Sequence, residues 1–309
     1  MQVWLNEVAS ATVRDSTLHR YRQGVRLYIG PALGHIRLDK LRPQQLAAFY
    51  RDAQSHLSSG SVRRLHALLR RSLTVAQRWG HIFVNPATLV EPPPLQLEEV
   101  RPLSASEAHD LLTAARQTDL AARWVLGLAT GLRQGEVLGL HWEDIDLSQG
   151  TLRVQRALQR RSDGRLVEVA PKTARSRRTL PLPASVVTAL VDHRVNQQEL
   201  RSAAGPRWTE SDLVFTTRVG TPIHPRNDHR AFVALLRSAG LRRVRLHDLR
   251  HTTASLLLSQ GVSPRVVMEI LGHSQISVTM NTYSHVSPEL NRAAAEGMQQ
   301  ALWPAEGES

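Results

Sequence analysis

The chain has 309 residues, 41% of them hydrophobic and 21% charged, with a net charge of +12 and no cysteine. That length is comfortable for two domains, each with its own core, and the missing thiols exclude disulfides, a thiolate nucleophile and Cys-based zinc. No run approaches the roughly 18 apolar residues of a membrane span, and MQVWLNEVAS lacks the basic-then-apolar order of a signal peptide, so a cytoplasmic protein without membrane partners is expected.

The charge is uneven. Residues 1–90 carry 13 Lys+Arg against 4 Asp+Glu, whereas the remaining 219 carry 26 against 23. A basic first segment predicts an electrostatic grip on a polyanion, by default DNA or RNA, because neutralised phosphates release counterions. A solvated basic surface that binds nothing is the alternative.

In chain order, Leu18, Tyr21, Val25 and Tyr28 recur at helical spacing from Ser16 to Tyr28, and Pro31 and Gly34 are expected to break that helix. A second helix runs from Pro43 to about Gln54. The third has an apolar stripe of Val62, Leu65, Leu69, Leu73, Ala76 and Trp79, with Arg63, Arg64, Arg70, Arg71 and Arg78 mostly off it. This all-helical segment, residues 1–90, reads as a clamp on duplex DNA, or as a bundle whose arginines only keep it in solution. The Pro-rich stretch from Asn85 to Ser104 contains a linker, assigned to residues 91–103.

The second domain, residues 104–287, opens with Ser104 and Glu107 in a capping-box pattern. Trp124–Thr130 is an apolar helix ending at Gly131, and another starts near Gln134 and ends around Trp142. Strands are expected over Thr151–Leu158 and Arg165–Ala170, around the turn SDGR, with a third over Arg178–Leu182. Helices follow over Pro183–Leu200, Pro225–Ala239, His247–Ser259, Pro264–Leu271 and Ser277–Ser284. Residues 288–309 form a tail with an amphipathic helix from Pro288 to Trp303, folding back or docking in trans. The fold class is therefore mainly α with one small antiparallel β-sheet: an all-helical N-terminal domain followed by an α+β domain.

Six side chains carry chemistry. Arg133 follows a tight Gly131 and opens a helix, where an anion is favoured; its guanidinium can pair with two phosphate oxygens. Glu136, one turn on, can orient it from behind, unless the two form only a surface pair. His247 and Arg250 share a helix face at i,i+3, as a phosphate site or as an exposed cluster. His273 follows Gly272 in a turn that can aim its imidazole, or is structural. Lys172 sits in PKTARSRR as one of only two lysines among 39 basic residues, and an amine can release a proton where Arg cannot. Tyr283, in the polar stretch NTYSH, is the only tyrosine beyond Tyr50. Two guanidiniums, three proton carriers and a phenol suit phosphoryl transfer through a covalent tyrosine. No P-loop and no two-metal acidic cluster is present, so neither ATP, metal nor another cofactor is expected. His247 and His251 are also an H-x-x-x-H pair able to share zinc, but Asp248 stands where a zinc protease needs Glu, and no third ligand is obvious.

By these residues and the segments around them, the chain resembles the tyrosine recombinase (phage-type integrase) family over nearly its whole length. TLHRYRQGVRLYIGPALGHIRLDKL is similar to the family's core-binding domain. TGLRQGEVLGLHWEDID, PKTARSRRTLPLP, LHDLRHTTASLLLSQG and LGHSQISVTMNTYSHV are similar to its catalytic domain, and five such fragments in order are specific where one is weak. The resemblance implies a site-specific recombinase in which Arg133 and Arg250 hold the scissile phosphate and Tyr283 attacks, giving a 3′-phosphotyrosine and then a Holliday junction. Lys172 would be the general acid, His247 a base or proton relay, and His273 a phosphate donor. It implies double-stranded DNA recombination sites as partners, a homo-tetramer in the synapse, and accessory DNA-bending or directionality proteins. Arg63, Arg64, Arg70, Arg71, Arg175, Arg177 and Arg178 are the expected DNA contacts. Many phage integrases carry a further DNA-binding domain ahead of the core-binding one, whereas this chain starts almost at the latter. Two other classes remain: a catalytically silent DNA-binding regulator of the same ancestry, and a zinc hydrolase using His247 and His251.

Overall fold

The structure is a computed structural model, and it describes residues 1–95, 101–161, 163–170, 177–272, 298–299 and 302. Lys172, Arg175, His273, Tyr283, the helix expected over Ser277–Ser284 and most of the tail lie outside the described residues. The chain divides into two compact units, Met1–Glu99 with Arg161–Arg165, and Val100–Arg160 with Leu166–Ser309.

The first unit is helical. A helix the sequence reading passed over, α1, spans residues 4–12, π-helical from Trp4 to Ala9 and α-helical from Ser10 to Thr12. Next, α2 begins at Asp15–Gly24, widens into a π-helical turn at Val25–Ile29 and resumes as Gly30–Leu33. The expected break at Pro31 is therefore corrected. In an α-helix Pro31 would clash with the carbonyl four residues back, but here Gly30 N–H reaches Val25 O, and the wide turn absorbs the ring. Gly34 caps the helix end. Helices α3 (Pro43–Gln54) and α4 (Ser59–Arg78) complete the bundle, the latter capped by Ser58 Oγ.

Trp4, Leu5, Leu46, Phe49, Val62, Leu65 and Leu69 fill the core of this unit. Within it, His66 Nδ1 lies 3.1 Å from the Tyr50 hydroxyl, which joins two buried polar groups. Arg63, Arg64, Arg70 and Arg71 are exposed. Trp79, expected on the apolar stripe, is exposed as well, because α4 ends just before it.

The second unit begins with α5 (Ala105–Ala115), whose Ser104–Glu107 capping box is present in both directions. Then come α6 (Ala121–Thr130) and the short α7 (Gln134–Leu138), which stops at Gly139 rather than Trp142. Two antiparallel sheets follow instead of the single sheet expected. One orders β1 (Ile145–Asp146), β2 (Thr151–Val154) and β5 (Arg178–Pro181), and the other pairs β3 (Ala157–Arg160) with β4 (Leu166–Val169). The strand expected from Thr151 to Leu158 is thus two strands in two sheets. Its break falls at Gln155 and Arg156, whose side chains leave the ladder for Asp144 and Glu143.

Helix α8 (Ala184–Ala204) packs on the sheets through Val186 and Leu190, and α9 (Pro225–Ser238), α10 (Asp248–Ser259) and α11 (Pro264–Leu271) complete the unit. Beneath them lies a buried ion pair, Arg123 Nε to Asp228 Oδ1 at 2.7 Å and Nη2 to Oδ2 at 2.9 Å, with exposures of 2% and 0%. Arg123 also stacks on Trp124, 4.2 Å from its ring centre. Gln134 Nε2 closes the network by donating to Asp228 Oδ2 and Pro225 O, each at 2.9 Å. An ion pair this deep is costly to break from one side only, because the other charge stays buried. Asp228→Ala is therefore expected to lower unfolding free energy in urea by about 3–5 kcal/mol, and the Arg123→Met/Asp228→Leu double variant by much less.

Candidate active site around Arg133 and Arg250

Gly131 sets the geometry. It ends α6 in the left-handed region at φ +62°, and a Cβ there would collide with the Leu271 side chain and come within 3.3 Å of Thr253. Only glycine satisfies both demands. The turn lets α6, α10 and α11 close together and points the Gly131 carbonyl inward, where it accepts from Arg250 Nη1 at 2.8 Å.

Arg250, one turn into α10, is buried, and its Nη2 donates to Leu271 O. Arg133 caps α7 from extended backbone, and its Nη2 donates to Gly272 O at 3.0 Å. Both guanidiniums therefore meet consecutive carbonyls at the end of α11, immediately before His273 in sequence. The Arg133 side chain keeps 39% exposure, and a guanidinium has five N–H donors, so it can take a further anion.

Glu136 lies behind Arg133, 5% exposed. Its Oε1 accepts from Arg133 Nη1 at 2.8 Å, while Oε2 accepts from the Arg133 backbone N–H at 3.0 Å and from Arg178 Nη2 at 3.1 Å. Burial works against ionisation, but the charges of Arg178 and Arg133 overcome it and hold the carboxyl below its usual range. The expectation that Arg178 contacts DNA needs correcting. Its side chain is 7% exposed and faces inward, with Nε donating to Ile270 O at 2.7 Å. Arg177 is exposed.

His247 occupies the residue before α10 and lines a cavity of about 120 Å³ with Arg123, Leu132, Gln134 and Arg250. Although His247 keeps an exposed surface, desolvation by the protein it packs against comes first in lowering its pKa, and the charges of Arg250 and Arg133 add to it against Asp248, which favours the neutral imidazole. His251 packs edge-on against it, ring centres 5.2 Å apart, and desolvation and His247 push its pKa to about 4. The pair does not resemble a built zinc site. Asp248 accepts from Arg245 at 2.8 Å, and among the described residues the one group of three metal-capable side chains is His141, Glu143 and Asp212.

Three residues with a part in this arrangement escaped the sequence reading: Arg123, Asp228 and Gln134. The one signal was an arginine inside the apolar run LAARWVLGLAT, which needs a buried partner.

The phage integrase family matches residues 101–289, and the N-terminal SAM-like domain of phage integrases matches residues 1–53. A XerC-like tyrosine recombinase of Caldanaerobacter subterraneus is 33% identical over 96% of this chain and 81% of its own length. An integrase of Saccharopolyspora erythraea is 30% identical over 97% of this chain and 81% of its own. Among solved structures, the Tn1549 transposon integrase in complex with a circular intermediate DNA superposes with a TM-score of 0.80 at 20% identity, covering 96% of this chain and 98% of that one. The lambda integrase dimer bound to a COC′ core site gives 0.67 at 19% identity, covering 91% and 93%. At those identities the likeness to solved structures concerns the fold.

The His251 environment makes an acid-stability prediction. Its pKa falls from about 6.5 unfolded to about 4 folded, so its stabilisation is complete above pH 6.5 and is lost as pH falls toward 4. In urea melts at pH 7 and pH 4, His251→Asn is expected to remove about 2 kcal/mol of the wild-type loss, after allowance for partial exposure.

Proposed function

The chain belongs to the phage integrase family, and we propose that it is a site-specific tyrosine recombinase that cuts and rejoins double-stranded DNA through a 3′-phosphotyrosine. The observation that carries this reading is the meeting of Arg133 and Arg250 on adjacent carbonyls, Gly272 and Leu271, one residue before His273. Two guanidiniums from distant elements, brought within reach of one another beside a neutral imidazole, form a cradle for a phosphodiester.

In this reading Arg133 and Arg250 bind the non-bridging oxygens and stabilise the charge that grows on them at the pentacoordinate transition state. The Tyr283 hydroxyl forms the new P–O bond as the bond to the 5′-oxygen breaks. Its proton passes to His247, whose neutral form is favoured by desolvation and by the neighbouring arginines, since a free phenol with a pKa near 10 needs an acceptor or a cationic field. Lys172 gives a proton to the leaving 5′-oxygen, and His273 donates to the phosphate. One ester replaces another, so the reverse attack by a 5′-hydroxyl reseals DNA without an energy source. Exchange of both strand pairs proceeds through a Holliday junction in an assembly of four copies. The helical first unit serves as a DNA clamp through the exposed Arg63, Arg64, Arg70 and Arg71, joined by Arg175 and Arg177. Accessory DNA-bending or directionality proteins act with it at the nucleoid, in the cytoplasm of a bacterial cell or phage-infected host.

On a nicked suicide duplex taken from the DNA flanking its gene, the wild type is expected to form a covalent adduct resolvable by denaturing gel. Tyr283→Phe should give none, His273→Ala a slow but detectable one, and Arg133→Ala one slower by about 10²–10³; an adduct from Tyr283→Phe would overturn the assignment. For the first unit, Arg64→Gln and Arg70→Gln should each weaken DNA binding uniformly across sequences and reduce the slope of log affinity against log salt by about 1, measured by fluorescence anisotropy.

A further inference from the structure

Three arginines reach the last turn of α11. Arg178 donates to Ile270 O, Arg250 to Leu271 O and Arg133 to Gly272 O. Two of them belong to the proposed phosphate cradle and the third does not. Arg178 opens β5, opposite Val154 of β2, and Lys172 stands six residues upstream in sequence. Its guanidinium bridges that helix end and Glu136 Oε2, and at 7% exposure it has little solvent to share its charge with.

The charges near Arg133 do not balance by accident of distance. Glu136 is a single carboxylate held between two guanidiniums, with Arg133 on Oε1 and Arg178 on Oε2. Were Arg133 its only partner, the two would form a neutral pair, and Arg133 would offer a phosphate little field. With Arg178 present the trio is net cationic, and part of the carboxylate's lone-pair capacity is occupied by a group that faces inward. At the buried contact between Arg178 and Glu136, one added charge at hydrogen-bond distance acts strongly on its neighbours. Arg178 also fixes the end of α11 from the sheet side, and a Cβ on Gly272 would lie 2.9 Å from its Nη1. The end of α11 at Gly272 and the orientation of Arg133 therefore share one anchor.

We propose that Arg178 is a positioning residue of the recombination reaction: it draws off the charge of Glu136 so that Arg133 stays available to the scissile phosphate, and it locks the end of α11. The inference rests on the recombinase reading above. It assigns Arg178 no contact with the substrate.

The test is single-turnover cleavage of the same nicked suicide duplex by Arg178→Gln, Arg178→Lys and the double variant Arg178→Gln/Glu136→Gln, with affinity for that duplex measured alongside. Arg178→Gln is expected to slow adduct formation about a hundredfold while affinity changes by less than about threefold, because the loss falls on the transition state. Arg178→Lys, which keeps the charge, should stay within about tenfold of wild type, and the double variant should recover at least about tenfold over Arg178→Gln by removing the unshared carboxylate. Glu136 keeps Arg133 as a partner in Arg178→Gln, and thermal melting checks that this variant folds. If it does not, the ratio of the double variant to Arg178→Lys carries the same comparison, with rates within about tenfold of each other supporting charge sharing and a wider gap refuting it. Wild-type cleavage by Arg178→Gln would overturn the inference. So would equal loss in the Gln and Lys variants with no recovery in the double, which is what a purely structural role gives. A wild type that forms no adduct would instead overturn the recombinase reading, and the inference with it.

Discussion

The end of α11 is the point on which the catalytic unit depends. A helix leaves its last four carbonyls without partners and carries a partial negative charge there. In this chain three successive carbonyls, at Ile270, Leu271 and Gly272, are each met by an arginine from a different element: β5, α10 and the cap of α7. Those arginines are separated by dozens of residues in sequence, so their meeting at one helix end fixes three segments at once. The arrangement also explains how cationic groups tolerate being packed together. Each has a polarised carbonyl to face, and Glu136 offsets part of the remaining repulsion.

The same contacts describe a site ready for an anion. Guanidiniums suit phosphate because their planar fork presents paired donors. Behind them the charge is balanced: Arg123 and Asp228 neutralise each other and pass a hydrogen bond through Gln134, the residue after Arg133. In front, positive charge is in excess. That asymmetry adds to the desolvation that lowers the pKa of both His247 and His251. Beyond desolvation, His247 loses proton affinity to the two arginines, and His251 loses it to His247 and Arg245. The two arginines of the proposed cradle thus also lower the proton affinity of the histidine beside them.

Much of this was legible in the chain, and the failures have physical causes. The apolar stripe of α4, the Ser104–Glu107 box and the Gly131 stop could be read because each depends on spacing within a single element. Pro31 misled because its penalty assumes an α-helical turn, whereas the backbone before it is wider. Thr151–Leu158 misled because alternation does not reveal that Gln155 and Arg156 leave the ladder for the acidic turn at Glu143 and Asp144. Arg178 misled most instructively. In sequence it is one of several arginines in a basic loop, and nothing local distinguishes the one that turns inward. Its burial is decided by Glu136 and Ile270, 42 and 92 residues away.

That distinction bears on how a basic sequence becomes a specific site. Arginines whose work is done by net charge can be exchanged along a surface, and Arg63, Arg64, Arg70 and Arg71 stand exposed on one helix with few fixed partners. Arginines whose work is done by geometry need a carbonyl or carboxylate at a set distance, and the chain provides these with two left-handed glycines. Gly131 turns its carbonyl to Arg250, and Gly272 turns its own to Arg133 while leaving room for Arg178. A Cβ on Gly131 would push into Leu271, and one on Gly272 into Arg178. The two glycines thus supply the carbonyls that fix Arg250 and Arg133, while carboxylates fix Arg123 and Arg178.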